Sequence, residues 1–561
     1  MPDHTTIAHV LDYLAPNQDL ETLCCWPPDA FAIAAFLLHK TGAYRVLVME
    51  DYWQDEQSAD WFLEVKRIAR QWKQTAPGLQ EPPPETRAWW NLLLARRAQR
   101  LQDTYADRDL CRALLDLCAT SDQACAAVGV PIPLRSDDLF TIEANGFLGE
   151  DLDATPGKSS TLCLSINPWV LSVLPKLHTP QTGMTLRSLT HHLALCEVGE
   201  VSAQWAAIPS TLAEDNTRHG LNLLLVPWPE SVSPLQFRAA ANDRCGRHQL
   251  ADNYGYFHYQ GLDDDDWPVD RFAELVRAAT RTVGRIDGVV LPELSVPSEE
   301  VYERLYQRVI EINPDAFLVA GVGVAGDGEE TESENYVLYT VPLYGQFPIR
   351  FKQDKHHRWQ LNGSQVQQYG LGHRLDPSVS WWEHINLSSR KVYFFSAAPW
   401  LTFCFLICED LARQDPIANL LRAVGPNLII ALLMDGPQLK SRWPARYATV
   451  LADDPGSSVL TLTSIGMALR SRQSDRRDDR PASRSIALWK DGKSETREIE
   501  LDPDAGGVIL TLARRYEEEF TADGRDDEKA TAYLMLCDVI QVPLPAPAPT
   551  QFPSINSQTV V

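Results

Sequence analysis

A chain of 561 residues, 44% hydrophobic and with 16 tryptophans, is globular and too long for one ordinary domain; two or three suit it. Its formal net charge of −24, from 75 acids against 51 bases, disfavours a nucleic-acid partner, which needs a basic face, and an anionic membrane surface. Eleven cysteines, an odd number at irregular spacing, follow an N-terminus with no basic stretch leading into an apolar one, and are expected to be reduced thiols of a cytoplasmic protein.

Residues 1–215 read as a mostly helical N-terminal domain, a possible docking arm for another protein. Residues 29–40 (DAFAIAAFLLHK) form a buried helix capped by Asp29 after Pro27 and Pro28. Residues 61–72 and 88–102 are expected as amphipathic helices on either side of a proline-rich break at 77–85, with a further helix at 110–128. Within that helix Cys111, Cys118 and Cys125 recur every seven residues. That spacing puts them near one face but about 10 Å apart per step, too far to share a metal, so they read as core thiols. Cys24 and Cys25 have no nearby histidine and read the same way. Residues 146–160 read as loop. His191 and His192, placed on a helix, would face different sides and make a poor metal site.

Near Asn216 the character changes, and a second domain is expected over 216–540. Buried strands are expected at 221–229, 317–324, 336–343, 427–433 and 457–463, with helices at 270–283, 298–312, 416–424 and 441–453. Strand-like runs at 483–489 and 507–512 follow. Residues 392–408 read as two strands and a turn. Strands alternating with helices and then pairing suit two sheets with helices outside, an α/β arrangement. Asp263 to Asp266 lack the alternating ligands of a calcium loop and read as solvated, as do residues 470–480 with their interleaved acids and bases. Residues 541–561, rich in Pro, Ala, Thr and Ser, are expected to be disordered.

Three stretches carry chemistry. TFCFLICEDL (402–411) is an apolar strand that ends abruptly in Cys408, Glu409 and Asp410. A strand end fixes the backbone while leaving a thiol at a cleft, which suits a nucleophile. DGVVLPELSVP (287–297) runs out into Glu293, whose carboxylate, partly desolvated there, acquires a pKa useful for a general base. IRFKQDKHHRWQL (349–361) supplies Lys352 and Lys355, either of which can hold developing negative charge. Thiol, carboxylate and lysine on strand ends suit acyl chemistry.

LPEL, then a lysine in a K-x-H setting, then ICED, in that order, resembles the nitrilase, or carbon–nitrogen hydrolase, superfamily, and its amidase branch most. The resemblance spans residues 219–540 and implies an αββα two-sheet sandwich, a homo-oligomer, and a Glu-Lys-Cys triad of Glu293, Lys355 and Cys408. It implies hydrolysis of an amide, or in second place a nitrile, with Glu409, His357 and Asp435 on the substrate side. Trp381 and Trp382 are further lining residues. Thiolate, base and cation supply the charge each step needs, so neither metal nor cofactor is expected. A catalytic Cys408 is further expected to have a lowered pKa. The chain departs from the family where a second glutamate usually follows the lysine by about eight residues. Position 363 is Gly, and the nearest polar residues are Gln360 and Gln365. That departure leaves open a degenerate module of the same fold, serving as a scaffold for another protein.

Overall fold

The computed structural model describes residues 4–48, 57–131, 138–149, 158–208, 220–240, 253–326, 331–343, 347–471, 482–526 and 531–543. Two seven-stranded sheets pack face to face. The first runs, edge to edge, Ile349–Asp354, Glu334–Val341, Phe317–Val324, Gly288–Val290, Gly220–Leu225, Ala505–Glu517 and Thr531–Pro543. The second runs Arg497–Glu500, Ser485–Lys490, Ser458–Thr463, Leu428–Leu433, Leu401–Ile407, Lys391–Ala398 and Ser202–Ala207. The central strands of each sheet are parallel and the flanking ones mostly antiparallel. The parallel pairs are joined through helices, as a parallel crossover requires.

Alternation writes the sandwich. In Phe317–Val324 and Leu401–Ile407 every other residue enters the inter-sheet core, and the intervening ones face the helices. That core is aromatic at its centre: Tyr339 lies 4.7 Å from Phe395, and Phe351 lies 4.9 Å from Phe395, ring to ring. Helices Val269–Val283 and Glu299–Ile312 cover the outer face of the first sheet. A four-stranded sheet of Gln360–Leu361, Ser380–Glu383, Tyr254–Tyr259 and Phe237–Ala239 stands beside the sandwich and carries one wall of the site. The αββα sandwich over the C-terminal part of the chain is therefore as expected.

The N-terminal part is helical at Ile7–Leu14, Pro27–Thr41, Gln57–Thr75, Pro84–Ala95, Arg108–Ala124 and Leu139–Gly149. Residues 146–149 are thus helix rather than loop, and 150–157 lie outside the described residues. His191 and His192 precede a strand, Leu193–Glu197, rather than sitting on a helix; it pairs antiparallel with Leu171–Pro175. Both histidine N–H groups are taken by the Asp122 carboxylate, at 2.8 and 2.9 Å, which ends the preceding turn and starts the strand. Ser202–Ala207, inside the first 215 residues, pairs in parallel with Lys391–Ala398 and is an edge strand of the second sheet. One continuous apolar cluster joins Phe31, Leu37, Leu114 and Trp205 to Phe394, Leu406, Leu421 and Leu451, so the N-terminal helices cover the second sheet's outer face. Gln541, Val542 and Pro543 end the last strand, and the rest of the tail lies outside the described residues. So does all but the start of the 470–480 stretch. No described helix is long and apolar enough to cross a membrane.

Candidate active site

Glu293 sits where Gly288–Val290 leaves the sheet. Its backbone is pressed onto the neighbouring strand: Ser295 N donates to Gly321 O at 2.9 Å and Gly321 N to Pro292 O at 3.2 Å. A Cβ on Gly321 would stand 2.4 Å from Glu293 Cα, so only glycine permits this approach. Leu294 turns the chain away at φ +53°.

Lys355 follows the edge strand Ile349–Asp354. It is fully buried, and its Nζ donates to Glu293 Oε1 at 2.7 Å and to Glu383 Oε2 at 2.6 Å. Asn335 braces both acids from the other side, its Nδ2 donating to Glu293 Oε1 at 2.8 Å and to Glu383 Oε1 at 2.7 Å. Trp359 N adds a third donor to Glu383, at 3.1 Å. Lys352 points the other way, paired with Glu334 at 2.7 Å on the exposed face and lying over the Tyr336 ring. Of the two lysines, Lys355 is the one in the cluster.

Glu383 is the member of this cluster that sequence reasoning missed. It is 28 positions after Lys355, on Ser380–Glu383, so a search near position 363 passes over it. Gln360 and Gln365 take no part: Gln360 is exposed, and Gln365 belongs to the capping turn of Gly363–Gln368. A lone acid ending the aromatic run SWWE was the available signal.

Cys408 ends Leu401–Ile407 and opens the short helix Glu409–Ala412. Its backbone is at φ +47°, ψ −105°, a conformation that L-residues rarely adopt, and it is held there by Cys408 N donating to Leu432 O at 2.9 Å and Leu411 N to Cys408 O at 3.0 Å. The strained strand-to-helix turn projects the thiol from the sheet's carboxyl rim. Burial, and after it the charge of Glu293, push the Cys408 thiol well above its ordinary pKa, while Lys355 pulls it down. The lowered pKa expected from sequence is thus not found: desolvation outweighs one cation that already has two carboxylate partners. Burial also raises the Glu293 carboxyl, against the pull of Lys355. Lys355 is itself held well above its ordinary range, because Glu293 and Glu383 outweigh desolvation.

The remaining expected residues separate. Asp435 lies at the carboxyl end of Leu428–Leu433, next to the Cys408 strand, close enough to raise the thiol's pKa. It is buried, with Oδ1 accepting from Tyr369 OH at 2.7 Å and from Arg442 Nη2 at 2.6 Å. Glu409 is half-buried beside Cys408 and pairs with Arg413 at 3.0 Å. His357 instead lies 2.8 Å through Nδ1 from Asp410 Oδ1, a tie between two segments of chain. Trp381 and Trp382 share the Glu383 strand, and Trp382 stacks on Tyr254. No group of three or more potential metal ligands occurs among the described residues.

The two-sheet sandwich, with a carboxylate, a lysine and a thiol brought together from its strand ends, resembles the nitrilase superfamily. No family model matches the chain, and no curated protein does. Solved structures to which it is similar include the glutamine-dependent NAD+ synthetase of Acinetobacter baumannii, at 14% identity and TM-score 0.28, with 48% of this chain and 45% of that one covered. Nit3 of Saccharomyces cerevisiae, a member of branch 10 of the nitrilase superfamily, is similar at 14% identity and TM-score 0.30, over 51% of this chain and 91% of that one. A CN-hydrolase superfamily protein of Xanthomonas campestris gives 13% identity and TM-score 0.28, over 52% and 91%. The chain thus spans under half the length of the synthetase. At these levels of similarity its chemistry has to come from its own side chains.

Proposed function

We propose that this chain hydrolyses a carbon–nitrogen bond, of an amide first and a nitrile second, through a thioester on Cys408. One observation carries the reading. The fully buried Glu293 and Lys355 each keep one group uncommitted within electrostatic range of the thiol. Glu293 Oε2 has no hydrogen-bond partner among the described residues, while Oε1 takes both Lys355 and Asn335. The ammonium has three donors and spends two on carboxylates.

A raised Glu293 is a competent base for a thiol that stays protonated at rest. As Cys408 Sγ attacks the amide carbon, its proton passes to Glu293 Oε2. The oxyanion is held by the third Lys355 N–H and the backbone N–H of Glu409. Glu293 then protonates the leaving nitrogen, the C–N bond breaks, and ammonia or an amine departs. A water, deprotonated by Glu293, cleaves the thioester to the acid and restores the thiol.

Intact-mass spectrometry after incubation with an amide and nitrile panel tests this. A Cys408-dependent acyl adduct or released ammonia is expected from the wild type and neither from Cys408→Ala. Cys408→Ser should be nearly inactive. The near-complete burial of Cys408, 2% exposed, favours a second reading: a module of the same fold that binds a partner instead of turning over a substrate. Silence across the panel would support that reading.

A further inference from the structure

Lysine and nucleophile stand on different sheets. Lys355 follows the edge strand of the first; Cys408 ends a central strand of the second. Facing sheets lie about 10 Å apart and are held mainly by non-directional apolar contacts. Setting an ammonium against a thiol to a fraction of an ångström needs directional bonds between the sheets. Several such bonds cross between the sheets, among them Ser458 Oγ donating to Leu534 O at 2.7 Å and Gln541 Nε2 to Glu500 O at 2.8 Å. Near Lys355, with His356 Nε2 2.9 Å from Lys391 O, two side chains make them on either side of it.

Upstream, Gln353 is buried and reaches across the inter-sheet core. Its Nε2 donates to Phe405 O at 2.9 Å, and its Oε1 accepts from Tyr393 N at 3.1 Å. Tyr393 and Phe405 belong to adjacent antiparallel strands of the second sheet. Carrying the register of Phe395 and Phe403 two residues further would place them opposite one another. The carboxamide of Gln353, arriving from the other sheet, stands between them in place of their mutual hydrogen bond. Downstream, Asp410, two residues after Cys408, accepts His356 N–H with both oxygens, at 3.2 and 3.1 Å, and meets His357 Nδ1 at 2.8 Å. Both bridging side chains are buried polar groups inside an apolar sandwich, a placement that is costly unless every bond is made.

We propose that Gln353 and Asp410 are positioning residues, which tie the Lys355 segment to the second sheet and so fix the ammonium against Cys408. This rests on reading Lys355 and Cys408 as cation and nucleophile.

The test needs no substrate. In a Cys537→Ser background, which removes the one exposed cysteine among the described residues, iodoacetamide alkylation of each remaining cysteine is followed at pH 8 by peptide mass spectrometry. Gln353→Leu keeps the side-chain volume and leaves Tyr393 N–H and Phe405 O to bond each other; Asp410→Asn keeps shape at the second bridge. A displaced cation raises the thiol's pKa, and each unit lowers the thiolate fraction tenfold. Cys408 should therefore alkylate about three- to tenfold more slowly in either variant, in the same direction as Lys355→Met. The buried Cys404, on the same strand, should be unchanged. A merely loosened fold would instead speed both cysteines. Unchanged or faster Cys408 labelling in both bridge variants, with Lys355→Met still slow, overturns the positioning role alone. If Lys355→Met is also unchanged, the underlying reading falls with it.

Discussion

At φ +47° Cys408 is in a conformation costly to any residue with a Cβ, and its strand-end hydrogen bonds keep it there. Cys408→Gly should therefore be more stable than Cys408→Ala by about 1–2 kcal/mol in urea denaturation, although both lack the thiol. Glu293 and Cys408 could be picked out as candidates because each is a polar residue at the end of an apolar strand, whereas the choice of Lys355 over Lys352 came with the family resemblance, and it is Lys355 that the structure sets beside Glu293. Glu383 was not legible, because a carboxylate's worth to a lysine depends on distance in space and not along the chain. The thiol's raised pKa was equally hidden. LICED shows two acids and a cysteine, but the degree of burial that outweighs Lys355 belongs to the packed structure.

Elements place these residues through a few close approaches. Gly321 lets the Glu293 turn lie against Phe317–Val324, with no room for a methyl group. Gly321→Ala should push the Glu293 backbone outward and slow formation of the Cys408 acyl adduct about a hundredfold, the usual cost of a misplacement near 1 Å. Asp29, in the first turn of Pro27–Thr41, accepts Leu164 N at 2.9 Å and Ser165 N at 3.1 Å, and burial pushes its carboxyl up to about 7. Between the ordinary carboxylate range and pH 7, the folded chain then keeps a proton that the unfolded chain has lost. This group's contribution to stability falls as pH rises through that window and levels off above it. Asp29→Asn should remove that fall, measured as unfolding free energy in urea from pH 4.5 to 8.

For the whole molecule the consequence lies in the shared core. The N-terminal helices bury the outer face of the second sheet, and Ser202–Ala207 is hydrogen-bonded into that sheet. Polar ties run the same way: Arg187 binds Asp454 at 2.8 Å, and the buried Glu519 meets His178 Nδ1 at 3.1 Å. Deleting residues 1–200 would expose Phe394, Leu406 and Leu421 to water at about 25 cal/mol per Å² of apolar surface. The truncated chain should be insoluble or lack a cooperative melt by circular dichroism, whereas an independent catalytic domain would stay folded.

Sequence alone determined the two-sheet sandwich, since side-chain alternation and the sign of the helix–strand alternation are properties of neighbours along the chain. It also offered Glu293 and Cys408 as candidates, because each marks the end of an apolar strand, but left Lys352 and Lys355 to be separated by where the chain folds them. Only the tertiary structure decided the rest. The strands at Leu171–Pro175 and Leu193–Glu197 are short and pair with each other, and Ser202–Ala207 is stabilised by Lys391–Ala398, far away in sequence. Glu383, Asn335, Gln353 and Asp410 take their meaning from hydrogen bonds to residues 28 to 54 positions away, on other strands or turns. A one-dimensional pattern records which residues can be buried. Which buried polar groups meet, and therefore what the site can do, is fixed only when the two sheets close on each other.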